Sequence, residues 1–271
     1  MRAVRDSRRL TIGTVFVLAV AGAAVFAAVA GADPFRTSEA ILAAPSGAHP
    51  LGTDELGRDI LTRILDGAAT TLKVALAPAA VAAVIGTAVG LAGGFYGGLL
   101  DEALLKLIEL VLIVPRFLIA LVAAALFGGS LWLVGVVLAA TFWPTTARLV
   151  RADTISLRER EFVEASRSVG AGDWWIVSRH LVLLVAPIVV VNTSFQAGQA
   201  ALIEAGLAFL GVGDRNVVSW GAMVADAQSY LGTAWWTSVF PGAALAATIL
   251  ALNLVGDGLA DVWNVRARTR L

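Results

Sequence analysis

The residue types that do chemistry are few in this chain. There is no cysteine, which removes disulfides, thiolate metal ligands and a cysteine nucleophile together. The two histidines, His49 and His180, fall on opposite sides of the membrane in the topology derived below, so they share neither a metal nor a catalytic dyad. No Gly-x-x-x-x-Gly-Lys-[Ser/Thr] loop exists in the sequence, so the chain does not bind and hydrolyse ATP by that route. What remains are polar groups inside apolar stretches. Arg116 and Glu109 lie seven residues apart, two helical turns, and share a face. Charges at membrane depth are usually functional, although both can also snorkel to the cytoplasmic boundary. Asn192, Ser194, Gln196 and Gln199 make one stretch unusually polar. They line a translocation path or form interhelical hydrogen bonds, and the sequence leaves both open.

The elements that position these groups are set by composition. Of 271 residues, 58% are hydrophobic and 15% charged, against about 45–50% and about 25% in soluble domains. A water-soluble fold has nowhere to put such a surface. Formal net charge is zero, and nothing in the charge distribution points to nucleic acid. Charge-free runs long enough to cross about 30 Å of hydrocarbon give six spans in an all-α membrane protein: 11–32, 74–95, 104–127, 131–148, 181–203 and 236–256. The first follows Arg2, Arg5, Arg8 and Arg9 and resembles a secretory signal, but at about 22 residues it is long enough to be a retained helix. The third is bent at Pro115 and carries Lys106, Glu109 and Arg116.

Six spans put both termini on one side. With the termini cytoplasmic, Arg2, Arg5, Arg8, Arg9, Arg148, Arg151, Arg158, Arg160, Arg167, Arg179, Arg266, Arg268 and Arg270 all fall inside. Arg36, Arg58, Arg63 and Arg215 fall outside, with Lys73 at a boundary. This asymmetry obeys the positive-inside rule. The outer segments 33–71 and 204–235 are long, and the second contains Trp220, Tyr230, Trp235 and Trp236, of the types that mark an interfacial belt. A secondary transporter needs midplane carboxylates or broken helices, and spans one, two, four and five offer none.

The one sizeable inner loop, 151–180, reads as helical through Val169, with Gly170-Ala171-Gly172 as a stop and Asp173 placed to cap a second helix. The expected product is a helix-turn-helix knob with Phe162, Val163 and Val169 exposed, suited to a partner's groove or serving as a solvated connector.

Here the sequence resembles a known family. Glu164-Ala165-Ser166-x-x-x-Gly170 is similar to the cytoplasmic EAA motif of ABC importer permeases. More narrowly, 158–165 and His49-Pro50-Leu51-Gly52-Thr53-Asp54-Glu55-Leu56-Gly57-Arg58-Asp59-Ile60-Leu61 resemble the dipeptide, oligopeptide and nickel branch. So do Pro144-x-x-Ala147-Arg148-Leu149-Val150-Arg151, Ser219-Trp220-Gly221-Ala222-Met223 and Asn253-Leu254-Val255-Gly256-Asp257-Gly258-Leu259. Ser166 stands for the usual second alanine. Leu183 stands where the family has a proline, with Pro187 four residues on, which leaves the start of the fifth helix open.

The resemblance implies a type I ABC importer permease fold in the bacterial inner membrane. The implied partners are a second permease subunit, two ATP-binding subunits that bind ATP and Mg, an extracytoplasmic solute-binding protein and the lipid bilayer; the chain itself carries no cofactor. Glu161, Phe162, Glu164, Ala165, Ser166 and Gly170 are the expected coupling residues, with Glu164 pairing either with an ATPase or with Arg160 or Arg167 of its own helix. Arg116, Asn192, Ser194, Gln196 and Gln199 are the expected path residues. The expected organisation is 1–72 (first helix and outer segment), 73–262 (a five-helix core with coupling loop 151–180) and a 263–271 tail. The expected cargo is di- or oligopeptides or similar small solutes.

Overall fold

The computed structural model describes residues 2–268, with side chains for 8–263. Arg2, Arg5, Arg266, Arg268 and Arg270, and the tail beyond Trp263, lie outside the described side chains. The chain forms α1 (Arg2–Ala30), α2 (Ile60–Tyr96), α3 (Gly98–Ile113), α4 (Arg116–Phe127), α5 (Leu131–Arg158), α6 (Glu161–Ser168) and α7 (Asp173–Ile176). A π-helical turn over Val177–Leu181 leads into α8 (Val182–Phe209), followed by α9 (Trp220–Asp226), a 3₁₀ turn and α10 (Trp236–Arg268). Strand-like pairing among the described residues is limited to one isolated bridge, Thr53 with Asp59.

Five helical stretches are long and apolar enough to cross a membrane, and the pair α3–α4, bent by 69°, makes a sixth. The break falls at Val114-Pro115, where proline has no N–H to give and restricts the residue before it. The six expected spans are therefore present, the third as two helices meeting at a sharp angle. Near the start of α1 and the end of α10, Arg9 lies 3.8 Å from Asp261, which puts these two helix ends on one side.

Two boundaries differ from expectation for one reason. α2 starts at Ile60 and runs unbroken past residue 72, and α8 continues through Glu204 to Phe209. Charge-free runs end at the first charge, Lys73 before the second span and Glu204 after the fifth, but the helices do not. α2 extends outward past the exposed Lys73 to Arg63, which is buried with Asp54, and Glu204 is buried with Ser219. The cap of the helix after the knob also moves: Gly172 takes that place, and Asp173 instead receives Arg167 Nη2 at 3.2 Å.

α2 and α5 pack closest. Gly86, Gly90 and Gly94, one per turn of α2, lie against the α5 backbone, where a Cβ would meet Trp143 O, Ala147 O and Arg151 O at 2.6, 2.6 and 2.8 Å. Small residues let two backbones approach this closely without a water-driven effect. The central core of Phe142, Leu138, Ile108 and Leu207 joins α5, α3 and α8. Separate cores close the two ends, one around Trp220, Trp236 and Ile60 outside, the other around Val163, Ile176 and Leu181 inside.

Candidate functional site: a cytoplasmic knob, a polar seam and an outer cap

The knob forms because α5 stops at Arg158 and α6 restarts at Glu161, with Glu161 and Glu164 in its first turn and Arg167 in its last, as the helix dipole favours. Its end is tied by Gly170 N–H to Arg167 O at 2.9 Å and Ala171 N–H to Ser166 O at 3.0 Å. Gly170 sits at φ +86°, a left-handed turn that a β-branched residue cannot adopt without strain.

One face of the knob is anchored. Val163 is fully buried against Leu157, Ile176, Leu181 and Val185. Phe162 and Trp175 flank the His180 ring at centroid distances of 6.1 and 4.8 Å, so His180 is part of the knob's packing. Ser166 donates to Phe162 O at 2.7 Å, which satisfies the hydroxyl that replaces an alanine methyl.

The other face is open. Glu161, Glu164 and Ala165 are exposed, and so are Val169 at 84% and Trp174 at 77%. The expectation that Val163 is also exposed is corrected: the turn presents Val169 alone, because α6 rolls Val163 into the core. Among the described residues Glu164 forms no ion pair within its helix, since Arg167 is held by Asp173 and lies 5.4 Å from the Phe95 ring centre.

The five path candidates separate on inspection. Asn192 donates to Thr146 Oγ1 at 2.8 Å, and Gln196 donates to Thr146 Oγ1 at 3.2 Å and Phe142 O at 3.1 Å; these two join α8 to α5. Ser194 donates to Val190 O in its own helix. Arg116 and Gln199 meet at the outside of this seam, Arg116 Nη1 donating to Gln199 Oε1 at 3.3 Å and Nη2 to Thr145 Oγ1. Sequence reasoning missed Thr145 and Thr146. Their signal was faint: two threonines beside Pro144 in an otherwise apolar helix.

The outer cap was also underestimated. Asp54 accepts the Leu56 and Arg58 N–H groups at 2.9 Å each, Arg58 Nε at 2.6 Å and Arg63 Nη1. Arg58 also reaches Glu55 at 2.8 Å, and Asp226 lies 3.8 Å from Arg58 and 3.7 Å from Arg63. Burial pushes the Glu55 carboxyl above its ordinary value, outweighing the opposite pull of its own backbone hydrogen bond and of Arg58. Asp59 caps α2 by accepting Thr62 N–H at 2.9 Å and is itself held by His49 Nδ1 at 2.9 Å. Trp236 Nε1 donates to Thr53 O at 3.2 Å and Trp220 Nε1 to Ile64 O at 2.9 Å, so these two tryptophans, read as belt residues, are buried pins. Beside the network an outward-facing recess of about 590 Å³ is lined by Glu55, Arg58, Asp214, Arg215 and Asp226.

Glu204 was placed in an outer loop by sequence but is a buried helical residue, accepting Ser219 Oγ at 2.7 Å on Oε1 while Oε2 has no partner among the described residues. Its signal was its position one residue past a charge-free run.

Residues 82–269 match the family described as "Binding-protein-dependent transport system inner membrane component". Over 270 residues, 98% of this chain and 91% of the relative, the sequence is 37% identical to a protein of Brucella suis provisionally named a peptide transport system permease. A second Brucella suis protein, provisionally named a peptide permease, is 38% identical over 84% of this chain and 76% of its own length. A protein of Escherichia coli, provisionally named the D,D-dipeptide transport system permease DdpC, is 34% identical over 82% of this chain and 75% of its own length. With six apolar spans and a match over most of its length, the chain belongs to the inner-membrane components of binding-protein-dependent transport systems, as a multi-pass permease subunit of an ABC importer.

Proposed function

We propose that this permease carries peptides of a few residues, or similar small solutes, into the bacterial cytoplasm. In this reading it pairs with a second permease subunit, receives cargo from an extracytoplasmic solute-binding protein at its outer recess, and is driven by two ATPase subunits that bind ATP and Mg. Phe162 and Ser166 shape the knob's packing, Gly170 fixes its turn, and Glu161, Glu164 and Ala165 face the ATPase. The path runs past Arg116 and Gln199 at the edge of the α8 seam, while Asn192 and Gln196 hold α8 to α5 behind it and Ser194 bonds within α8.

The observation that carries the coupling role is the knob's two-sidedness: Val163 is sealed while Val169 and Trp174 project into solvent. An apolar anchor ringed by charge is the surface a partner's groove takes. A two-state permease is biased by whatever contacts that knob differently in its two forms. The peptide reading is supported by the names of relatives that match across most of this chain.

The test is purification of the chain with its co-encoded partners, followed by ATPase activity with and without binding protein loaded with di- and tripeptides. Stimulation by the loaded binding protein is the expected result. A stable chain that purifies without any ATPase overturns the coupling role, and stimulation only by non-peptide solutes overturns the cargo.

A further inference from the structure

Arg116 is the one charged member of the α8 seam, and the seam gives it no counter-charge. Thr145, which holds it, lies fourteen residues past the outer start of α5, about 21 Å along the helix. Gln199, its other partner, lies ten residues before the outer end of α8, about 15 Å. Both place the guanidinium within a hydrocarbon layer about 30 Å thick. A cation there persists only where water or an opposite charge reaches it.

The described residues supply no such charge. Arg116 forms hydrogen bonds with two neutral side chains, Thr145 and Gln199, and its guanidinium lies 5.3 Å from the Phe142 ring centre. Its charged neighbour is Arg148, one turn along α5 from Thr145 and close enough to repel it. Glu204, five residues beyond Gln199, is bonded to Ser219. Glu109 lies on α3, across the 69° break from Arg116, and makes no ion pair with it, so the shared face expected of the two is lost at the break. Arg148 likewise has no carboxylate partner among the described residues. Two guanidiniums thus lie near each other at the seam, Arg116 half-buried and Arg148 exposed, the first held from two directions by neutral groups and near a ring.

We propose that Arg116, with Arg148 beside it, receives the terminal carboxylate of a peptide in transit. This rests on the peptide-import reading above and gives that cargo a recognised end. The planar guanidinium fork matches a carboxylate, and Thr145 and Gln199 fix it in place so that little freedom is lost when the cargo arrives. Neutral partners also leave the charge uncompensated, so the carboxylate is attracted in. Only one end of the cargo is held, so it releases again, as a transit site requires.

The test uses the complete complex in proteoliposomes, with trialanine and trialanine amide each supplied on the saturated binding protein. Import is read per ATP hydrolysed in wild type, Arg116→Gln and Arg116→Lys. Arg116→Gln is expected to slow trialanine about tenfold or more, the scale of one charged hydrogen-bonded contact. It should change the amide little, and Arg116→Lys should restore part of the trialanine rate. Because the binding protein is the same throughout, its own preference cancels in the ratio of variant to wild type. Equal slowing of both peptides, or no slowing, overturns the inference. So does loss of the second permease subunit from the Arg116→Gln complex, which would assign the counter-charge to that subunit. If the wild-type complex imports neither peptide, it is the cargo reading that fails, and the carboxylate role falls with it.

Discussion

The two ends of the molecule handle charge and apolar surface in opposite ways. Outside, Asp54, Glu55, Arg58, Arg63 and Asp226 come from two distant segments and pair with one another, Arg63 Nε staying buried without a partner among the described residues, with Trp220 and Trp236 pinned beneath them. Inside, Arg167 pairs with Asp173, but Glu161 and Glu164 make no ion pair among the described residues, and Val169 and Trp174 are uncovered. A self-satisfied end is built for rigidity. An unsatisfied one is built to be completed by something else. The same chain therefore contains its own outer lid and only half of its inner joint.

The sharpest way to break this comparison is at the hub of the outer network. Asp54→Ala leaves Arg63, 4% exposed, without its hydrogen-bonded carboxylate and with only the more distant Asp226 at 3.7 Å, and breaking a buried pair costs about 3–5 kcal/mol. The expected outcome is a large fall in the unfolding midpoint of the purified protein in detergent. An unchanged midpoint would mean that the cap is solvated and not a structural closure.

At the inner end the effects belong to coupling and not to folding. Gly170→Val forces a β-branched residue to φ +86°, a local strain of about 1–3 kcal/mol, and should misplace the turn. Insertion and the detergent midpoint should change little while binding-protein-stimulated ATPase activity is lost; normal transport contradicts it. Val169→Ser is smaller. Truncating one exposed anchor should weaken ATPase association by about 1–2 kcal/mol, read as dissociation during purification or by titration, with the isolated chain's stability moving within about 0.5 kcal/mol.

The smallest effect sharpens the outer side. Burial raises the folded-state pKa of Glu55, so the folded cap binds that proton more tightly than the unfolded chain does. Its ionisation therefore costs the folded state stability as pH rises from the ordinary value of 4.5 through the raised one, and acidification across that window gives the stability back. Glu55→Gln should flatten this part of the pH dependence of the unfolding midpoint. An unaltered profile would show that Arg58 compensates the carboxylate fully.

The spans could be read from sequence because hydrocarbon admits long charge-free helices and little else. The knob could be read for a local reason: its stop signals and its charge pattern lie within twenty residues. The outer cap could not, because its logic is non-local. Arg63 is tolerable inside a helix only with Asp54 and Asp226 beside it, and the second of these is far along the chain. The same non-locality hid Glu204, whose partner Ser219 lies beyond an intervening loop, and it divided the α8 polar residues in a way no periodicity foretold. Asn192 and Gln196 face Thr146, whereas Gln199 faces Arg116.

The glycine seam between α2 and α5 has a mechanical consequence. Two helices of 37 and 28 residues, about 55 and 42 Å long, are joined backbone to backbone over three successive turns, which makes them a laminated beam stiffer than either helix alone. A load on the inner end of α5, where the knob begins, is shared with α2 across those three turns, which brace α5 beside its internal Pro144. The 69° elbow of α3–α4 and the π-turn that joins the knob to α8 have no such lamination.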